Sequence, residues 1–231
     1  MNALWEWLID FGQKLYMAFI YEDRWKLYVD GLGVTLTITV GAICISTVLG
    51  MLLCLMRLSN SRVLSGVSKL YIDVIRGIPA VVQLMFIYFV ILSTWTNKTA
   101  VGIIACGLNS AAYTAEIFRS GITAVDPGQM EAGRSLGLTK VQTMWNIIFP
   151  QGIKNCLPTY ASEFIVLVKE TAVVGYIGMV DLTKAGNQVK SLTYDAMAPL
   201  LIVALMYLAV TTILSKVFGV MERRLRESDR R

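Results

Sequence analysis

The run GLGVTLTITVGAICISTVLGMLLCLM, Gly31–Met56, carries no charged side chain. Its TLTIT segment, Thr35–Thr39, alternates apolar and polar residues as a half-buried strand does. Length decides against the strand. Crossing a hydrocarbon core as a helix takes about 20 residues, the uncharged run exceeds that, and threonine is tolerated in membrane helices. The run predicts a membrane helix.

The whole chain supports this. At 231 residues it is 55% hydrophobic, with a mean hydropathy of +0.60, which excludes an ordinary soluble domain. Four further apolar stretches, at 77–95, 99–121, 155–178 and 196–220, bring the expected total to about five transmembrane helices in one all-α integral membrane domain spanning 31–220. Pro79 suits a helix's first turn. Residues 57–69 and 181–195 read as polar connections. Residues 1–30 are mixed: Leu4, Trp5, Leu8, Ile9, Phe11, Leu15 and Phe19 recur among Glu6, Asp10 and Lys14. That is too charged for a span and lacks a signal peptide's basic start, so an interfacial amphipathic helix is expected, followed by Trp25 and Tyr28 as interface anchors. Residues 221–231 form a basic tail.

Several chemistries are disfavoured. There is no histidine, which removes the commonest metal ligand and any histidine-dependent triad. Cys44, Cys54, Cys106 and Cys156 have no metal-ligand spacing and read as small buried hydrophobes. No G-x-x-x-x-G-K-[ST] phosphate loop is present, so ATP hydrolysis by that route is not expected in this chain. No catalytic residue, metal site or cofactor is predicted. A net charge of +5 needs no nucleic-acid partner, because the basic residues sit where a membrane's cytoplasmic face places them. Lys and Arg in the 57–69 connection, the 119–154 region and the tail outnumber those on the other side, so the N-terminus is expected outside and the tail inside.

Charged and polar groups inside the spans cost about 2.5–3.5 kcal/mol each for a charge at mid-membrane, and usually face a bundle interior or a wet cavity. Asn109, Tyr113 and Glu116 share one helical face, as do Thr159, Glu163, Val166 and Glu170, with Ser162 and Lys169 in a neighbouring row. The candidate substrate path is Glu163, Ser162, Asn109, Glu116, Gln83 and Lys169: Glu163 can pair with an ammonium, and the amides and hydroxyl can bind amino or carboxyl groups. Structural readings stand beside these. Glu116 and Arg119 are i,i+3 neighbours able to pair at the interface, Lys169 and Glu170 can snorkel, Glu163 can form an interhelical pair, and Phe86, Tyr88 and Phe89 read as packing. Arg76 is either a phosphate anchor or a vestibule residue.

The longest polar segment between apolar runs is DPGQMEAGRSLGLTKVQTMWNIIFP, Asp126–Pro150. Asp126 can cap a helix begun by Pro127, Gly137 marks its end, and Thr139 can cap a second helix running to about Phe149, which Pro150 then limits. Spacing alone leaves a docking elbow and an amphipathic loop resting on headgroups equally open.

This segment resembles the EAA loop of permease subunits of ATP-binding-cassette importers: Glu131, Ala132 and Gly133, then Gly137, then Ile147, Phe149 and Pro150 stand at the pattern's spacing, with Gly133 in place of the second alanine and Phe149 in place of leucine. Gly133 is expected to loosen the first helix by roughly 1 kcal/mol relative to alanine. RGIPAVVQLMFIYF (76–89), NSAAYTAEIFRSGI (109–122) and SEFIVLVKETAV (162–173) resemble successive blocks of the polar amino-acid permeases, of the histidine, lysine-arginine-ornithine, glutamine and glutamate importer type, with Ser162 where that group often has asparagine. The resemblance implies a multi-pass subunit of the bacterial plasma (inner) membrane that imports a polar amino acid. It implies a cytoplasmic coupling loop at 126–150 in which Pro127, Glu131, Ala132, Gly133, Gly137 and Pro150 meet a separate ATPase. It also implies two such ATPase subunits holding ATP and magnesium, a second permease chain, identical or a close paralogue, and an extracytoplasmic solute-binding protein. Two other classes fit the intramembrane charges: an ion-gradient-driven secondary transporter, although no internal repeat is evident, and a membrane scaffold whose polar stripes are helix–helix glue.

Overall fold

Helix α2, Trp25–Leu58, and helix α5, Lys98–Thr123, lie side by side along their length and form the centre of an all-helical bundle. The structure, a computed structural model, describes residues 2–228, with side chains for 4–224. The other helices are α1 (Asn2–Phe19), α3 (Arg62–Gly77), α4 (Ala80–Phe86), α6 (Gly128–Ser135), α7 (Lys140–Thr143), α8 (Phe149–Glu170), α9 (Leu182–Thr193) and α10 (Met197–Ser228). Met221–Arg224 of the expected tail continue α10, while the side chains of Arg226, Arg230 and Arg231 lie outside the described residues.

Close approach of α2 and α5 rests on missing side chains. A Cβ on Gly50 would stand 2.8 Å from Thr114 Cβ, and one on Gly107 would stand 2.8 Å from Ile45 Cβ. Around this contact Ile38, Ala42, Val101, Ala105, Leu84 and Leu167 make the central core. Cys54, Phe118, Ile122, Ile148 and Cys156 close the end nearest the elbow. Tyr28, Leu182, Val189, Ala198 and Ile202 close the opposite end.

Among the described residues, three helical stretches are long and apolar enough to cross a membrane: Tyr21–Leu58, Lys98–Thr123 and Met197–Arg224. The second expected span, 77–95, starts at a sharp bend. Arg62–Gly77 and Ala80–Ile91 meet at 106° around Ile78–Pro79, where the ring of Pro79 disfavours helical backbone in the preceding residue. Helix α8 has a span's length but carries Lys154, Glu163, Lys169 and Glu170.

Several expectations are corrected. The 57–69 connection is largely the start of α3, capped by Ser61, whose hydroxyl accepts from Leu64 N–H. The 181–195 loop is mostly α9. The Asp181 side chain accepts from the N–H groups of Thr183 and Lys184 at 2.9 and 3.1 Å. Its carboxyl is pushed above the ordinary range by burial, which those N–H groups partly offset. Thr35 Oγ1 accepts from Leu182 N–H, tying α9 to α2. The stretch expected to end a fourth span at Gly178 leaves α-geometry at Thr171 and winds as a 3₁₀ helix to Ile177. Pro150 does not end its helix: α7 passes through a π turn, Met144–Ile148, into α8. Phe149 N–H reaches back five residues to Met144 O, and Pro150, which has no N–H to place, sits harmlessly in the first turn beyond.

Tyr28 is fully buried rather than an interface anchor, because α1, α9 and α10 close over it. Cys44 is exposed, aligned with exposed Val40 and Val48 on the outward face of α2, whereas the other three cysteines are buried. Phe86 and Phe89, expected as packing, are also exposed.

Candidate functional site

The elbow is built from short-range chemistry. Asp126 Oδ1 accepts from Gly128 N–H at 2.7 Å and heads α6. The helix closes in a Schellman turn: Leu138 N–H returns to Gly133 O, and Gly137 takes φ +85°, a conformation glycine adopts without penalty. Helix α7 opens with a full capping box. Thr139 Oγ1 accepts from Gln142 N–H, and Gln142 Oε1 accepts from Thr139 N–H at 2.8 Å.

Gly133, expected to loosen α6, has a different role. A Cβ there would stand 2.5 Å from Thr143 Cγ2, so the missing side chain lets the two limbs close. Glu131 and Ala132 are exposed, as are Pro127 and Pro150. Three large apolar side chains stand clear of the bundle at the corner: Leu136 is 82% exposed, Val141 65% and Trp145 51%.

The six candidate path residues separate into two groups. Gln83 and Asn109 are buried and spent on the fold. Gln83 Nε2 donates to Ile75 O at 2.6 Å and Ile78 O at 2.7 Å, while Gln83 Oε1 accepts from Asn109 Nδ2 at 3.2 Å. Together they satisfy the carbonyls freed at the 106° break. Glu116 is held by Arg119 across 2.7 Å, the i,i+3 pair. Tyr113, on the same face of α5, lies beneath Arg76, 5.4 Å from its ring centre.

The second group lies on α8. Glu163 points towards α5 and accepts a hydrogen bond from Ser110 Oγ at 2.9 Å. Sequence reasoning missed Ser110, since an uncharged serine in an apolar helix carries no signal beyond standing beside Asn109. Ser162, Val166 and Lys169 follow each other at helical spacing on an exposed face, with Glu170 beside Lys169 and against α5 near Cys106 and Asn109. Ser162 also borders a cavity of about 450 Å³ between α8 and α10, with Tyr160, Ser215 and Glu222. Ion pairs among the described residues include Lys14–Asp10, Arg24–Glu22, Lys26–Asp23 and Arg119–Glu116, and none of these four involves Glu163, Lys169 or Glu170. This face therefore exposes Lys169 and Glu170 side by side, with Glu163 half-buried behind it against Ser110.

Comparison with known proteins bears on the whole bundle. Residues 46–227 match the family described as the binding-protein-dependent transport system inner membrane component. The arginine transport system permease protein ArtQ of Bacillus subtilis is 37% identical over 203 residues, covering 87% of this chain and 93% of that protein. The putative glutamine transport system permease protein GlnP of Rickettsia prowazekii is 36% identical over 208 residues, covering 89% and 95%. Among solved structures, an amino acid ABC transporter crystallised with histidines superposes with a TM-score of 0.81 at 43% identity, over 86% of this chain and 94% of that one. The MetNI methionine ABC transporter, inward facing, shares the fold with a TM-score of 0.76 at 20% identity, over 89% and 99%.

Proposed function

Because this chain belongs to the binding-protein-dependent transport system inner membrane components, we propose that it is the permease subunit of an ATP-driven importer that moves a polar amino acid into the cytoplasm, with five spans and its N-terminus outside. It is a transport component, and hydrolysis of ATP belongs to a separate subunit. In the proposed assembly two permease chains, identical or paralogous, meet two ATPases that bind ATP and magnesium, and a binding protein delivers the ligand. The permease relatives named for arginine and glutamine transport favour amino acids as the substrate class.

The observation that carries this reading is the elbow: a corner locked by a capping box and a Schellman turn, with exposed Leu136, Val141 and Trp145 free to enter a groove on the ATPase. Pro127, Glu131, Ala132, Gly133, Gly137 and Pro150 form or frame it. Closure of the ATPases on ATP moves the elbow, and the spans open the path alternately to each side. The path is proposed along the α8 face. There Glu163 and Glu170 offer carboxylates to ammonium groups, Lys169 offers a cation to the carboxylate, and Ser162 adds a hydroxyl. Two acidic groups against one basic group favour an amino acid with a cationic side chain.

ATP hydrolysis by the reconstituted complex, with binding protein and a panel of amino acids, tests this. Stimulation by a subset of amino acids, lost in Gly137→Pro with assembly intact, supports it. Stimulation by none points to another solute or to a scaffold. Uptake driven by an ion gradient without ATP points to a secondary transporter.

A further inference from the structure

A groove of about 470 Å³ runs between α1 and α10, lined by Leu15, Phe19 and Ile20 on one side and Ile202, Leu205 and Met206 on the other. Among the described residues no charged side chain borders it. It opens onto the outward surface of α10, where Leu201, Leu205, Leu208, Ile213 and Val217 are exposed and which, in a membrane span, meets hydrocarbon. Helix α1 continues that surface. Ala18 is buried against the bundle. Glu6, Asp10 and Lys14 follow one another at spacings of four on a single charged stripe that flanks it, with Lys14 and Asp10 paired at 2.6 Å, and a separate shoulder of Trp5, Ile9, Tyr16 and Ile20 is exposed.

The end of α1 is fixed in place. Arg24, buried, donates from Nη1 to Met17 O at 2.7 Å. Glu22 and Asp23 take φ of 52° and 56° to turn the chain into α2. Two consecutive non-glycine residues in the left-handed region cost of order 1–3 kcal/mol each, so the corner is held by its surroundings.

We propose that this groove seats one acyl chain of a membrane phospholipid, with α1 lying along the bilayer surface and its Trp5–Ile20 shoulder at the boundary of headgroups and acyl chains. A helix with a wide apolar arc and a separate charged face lies in that boundary, and tryptophan and tyrosine concentrate there. A protein helix is a poor occupant. A helix about 10 Å across with its side chains has a cross-section of roughly 80 Å², so about 470 Å³ would hold little more than one turn of it, and the space is one for a flexible chain.

The test places the photoreactive residue p-benzoylphenylalanine at Leu205, inside the groove, and separately at Ile213, exposed on the same helix outside it. The full complex is irradiated in native membranes, purified in detergent, and weighed intact. Several-fold more phospholipid-mass adduct at position 205 than at position 213 is expected, with the position 205 adduct reduced at least threefold by Ala209→Trp, which fills the groove from an exposed position. Equal adducts at the two positions would mean ordinary boundary lipid and overturn the proposal. A protein-mass adduct at position 205 would assign the groove to another chain and overturn it as well. A position 205 adduct insensitive to Ala209→Trp would place the lipid elsewhere.

Discussion

Gly133 and Thr143 meet across the elbow so closely that the glycine's absent Cβ would fall 2.5 Å from the threonine's methyl carbon. This pair makes α6 and α7 one object. Alanine at 133 matches the family pattern and favours helix by roughly 1 kcal/mol, yet it overpacks a filled site, which typically costs about 1–3 kcal/mol. Gly133→Ala is therefore expected to lower ligand-stimulated ATP hydrolysis and to destabilise the elbow. Thr143→Ala, which removes both clashing atoms, is expected to restore most of the loss in the double variant. A strictly additive double variant, read by hydrolysis rate and thermal unfolding, would refute the contact.

The amide of Gln83 closes the 106° break between α3 and α4. Gln83→Leu keeps the volume and leaves the carbonyls of Ile75 and Ile78 unpaired, at about 1–3 kcal/mol for each buried group. Asn109→Ala removes one donor to Gln83 and should cost less. Thermal unfolding in detergent is expected to rank Gln83→Leu below Asn109→Ala, with new protease cleavage near 77–80 only in the former.

Among the described residues Glu163 has a hydroxyl partner, Ser110, and no ion-pair partner. Glu163→Ala is expected to reduce uptake of cationic amino acids at least tenfold more than that of neutral ones. Ser110→Ala keeps the charge and should reduce both by about fivefold, the equivalent of one hydrogen bond of about 1 kcal/mol. Transport of a labelled panel decides, and equal loss for both substrate classes in Glu163→Ala would assign it a structural role.

Gly50 and Gly107 let α2 and α5 touch, whereas Gly66 in α3 faces open space. Gly50→Ala and Gly107→Ala are expected to destabilise by about 1–3 kcal/mol through overpacking. Gly66→Ala is expected to stabilise by up to about 1 kcal/mol from helix propensity alone. Unfolding midpoints of the three variants compared with the parent check the sign of each.

What was legible in the sequence divides by the kind of signal. The uncharged run at 31–56 and the apolar run at 99–121 announce helices through composition, and both are present. Asp126, Gly137 and Thr139 announce the elbow through local chemistry, and all three act as caps or as the turn. Helices α3 and α9 were missed because they bury only one stripe each, Ser68 and Ile72 in one and Leu182, Ala185 and Val189 in the other, so an average over the segment reads as polar. The Ser61 and Asp181 caps were the available clues. Ser110, the Gly133–Thr143 contact and the burial of Tyr28 depend on which helices become neighbours, and no local pattern encodes that.

The π turn at Met144–Ile148 sets the azimuth of everything beyond it. It houses one residue more than an α turn can, and at 3.6 residues per turn one residue is worth about 100° of rotation. Ser162, Val166 and Lys169 look outward, and Glu163 looks towards Ser110, with that extra residue in place. Relaxing the turn, or deleting one residue within it, would swing this polar row by roughly a quarter of a revolution while leaving the axis of α8 where it stands. The segment beside the elbow is thus a phase element: it fixes the direction in which this row of side chains faces.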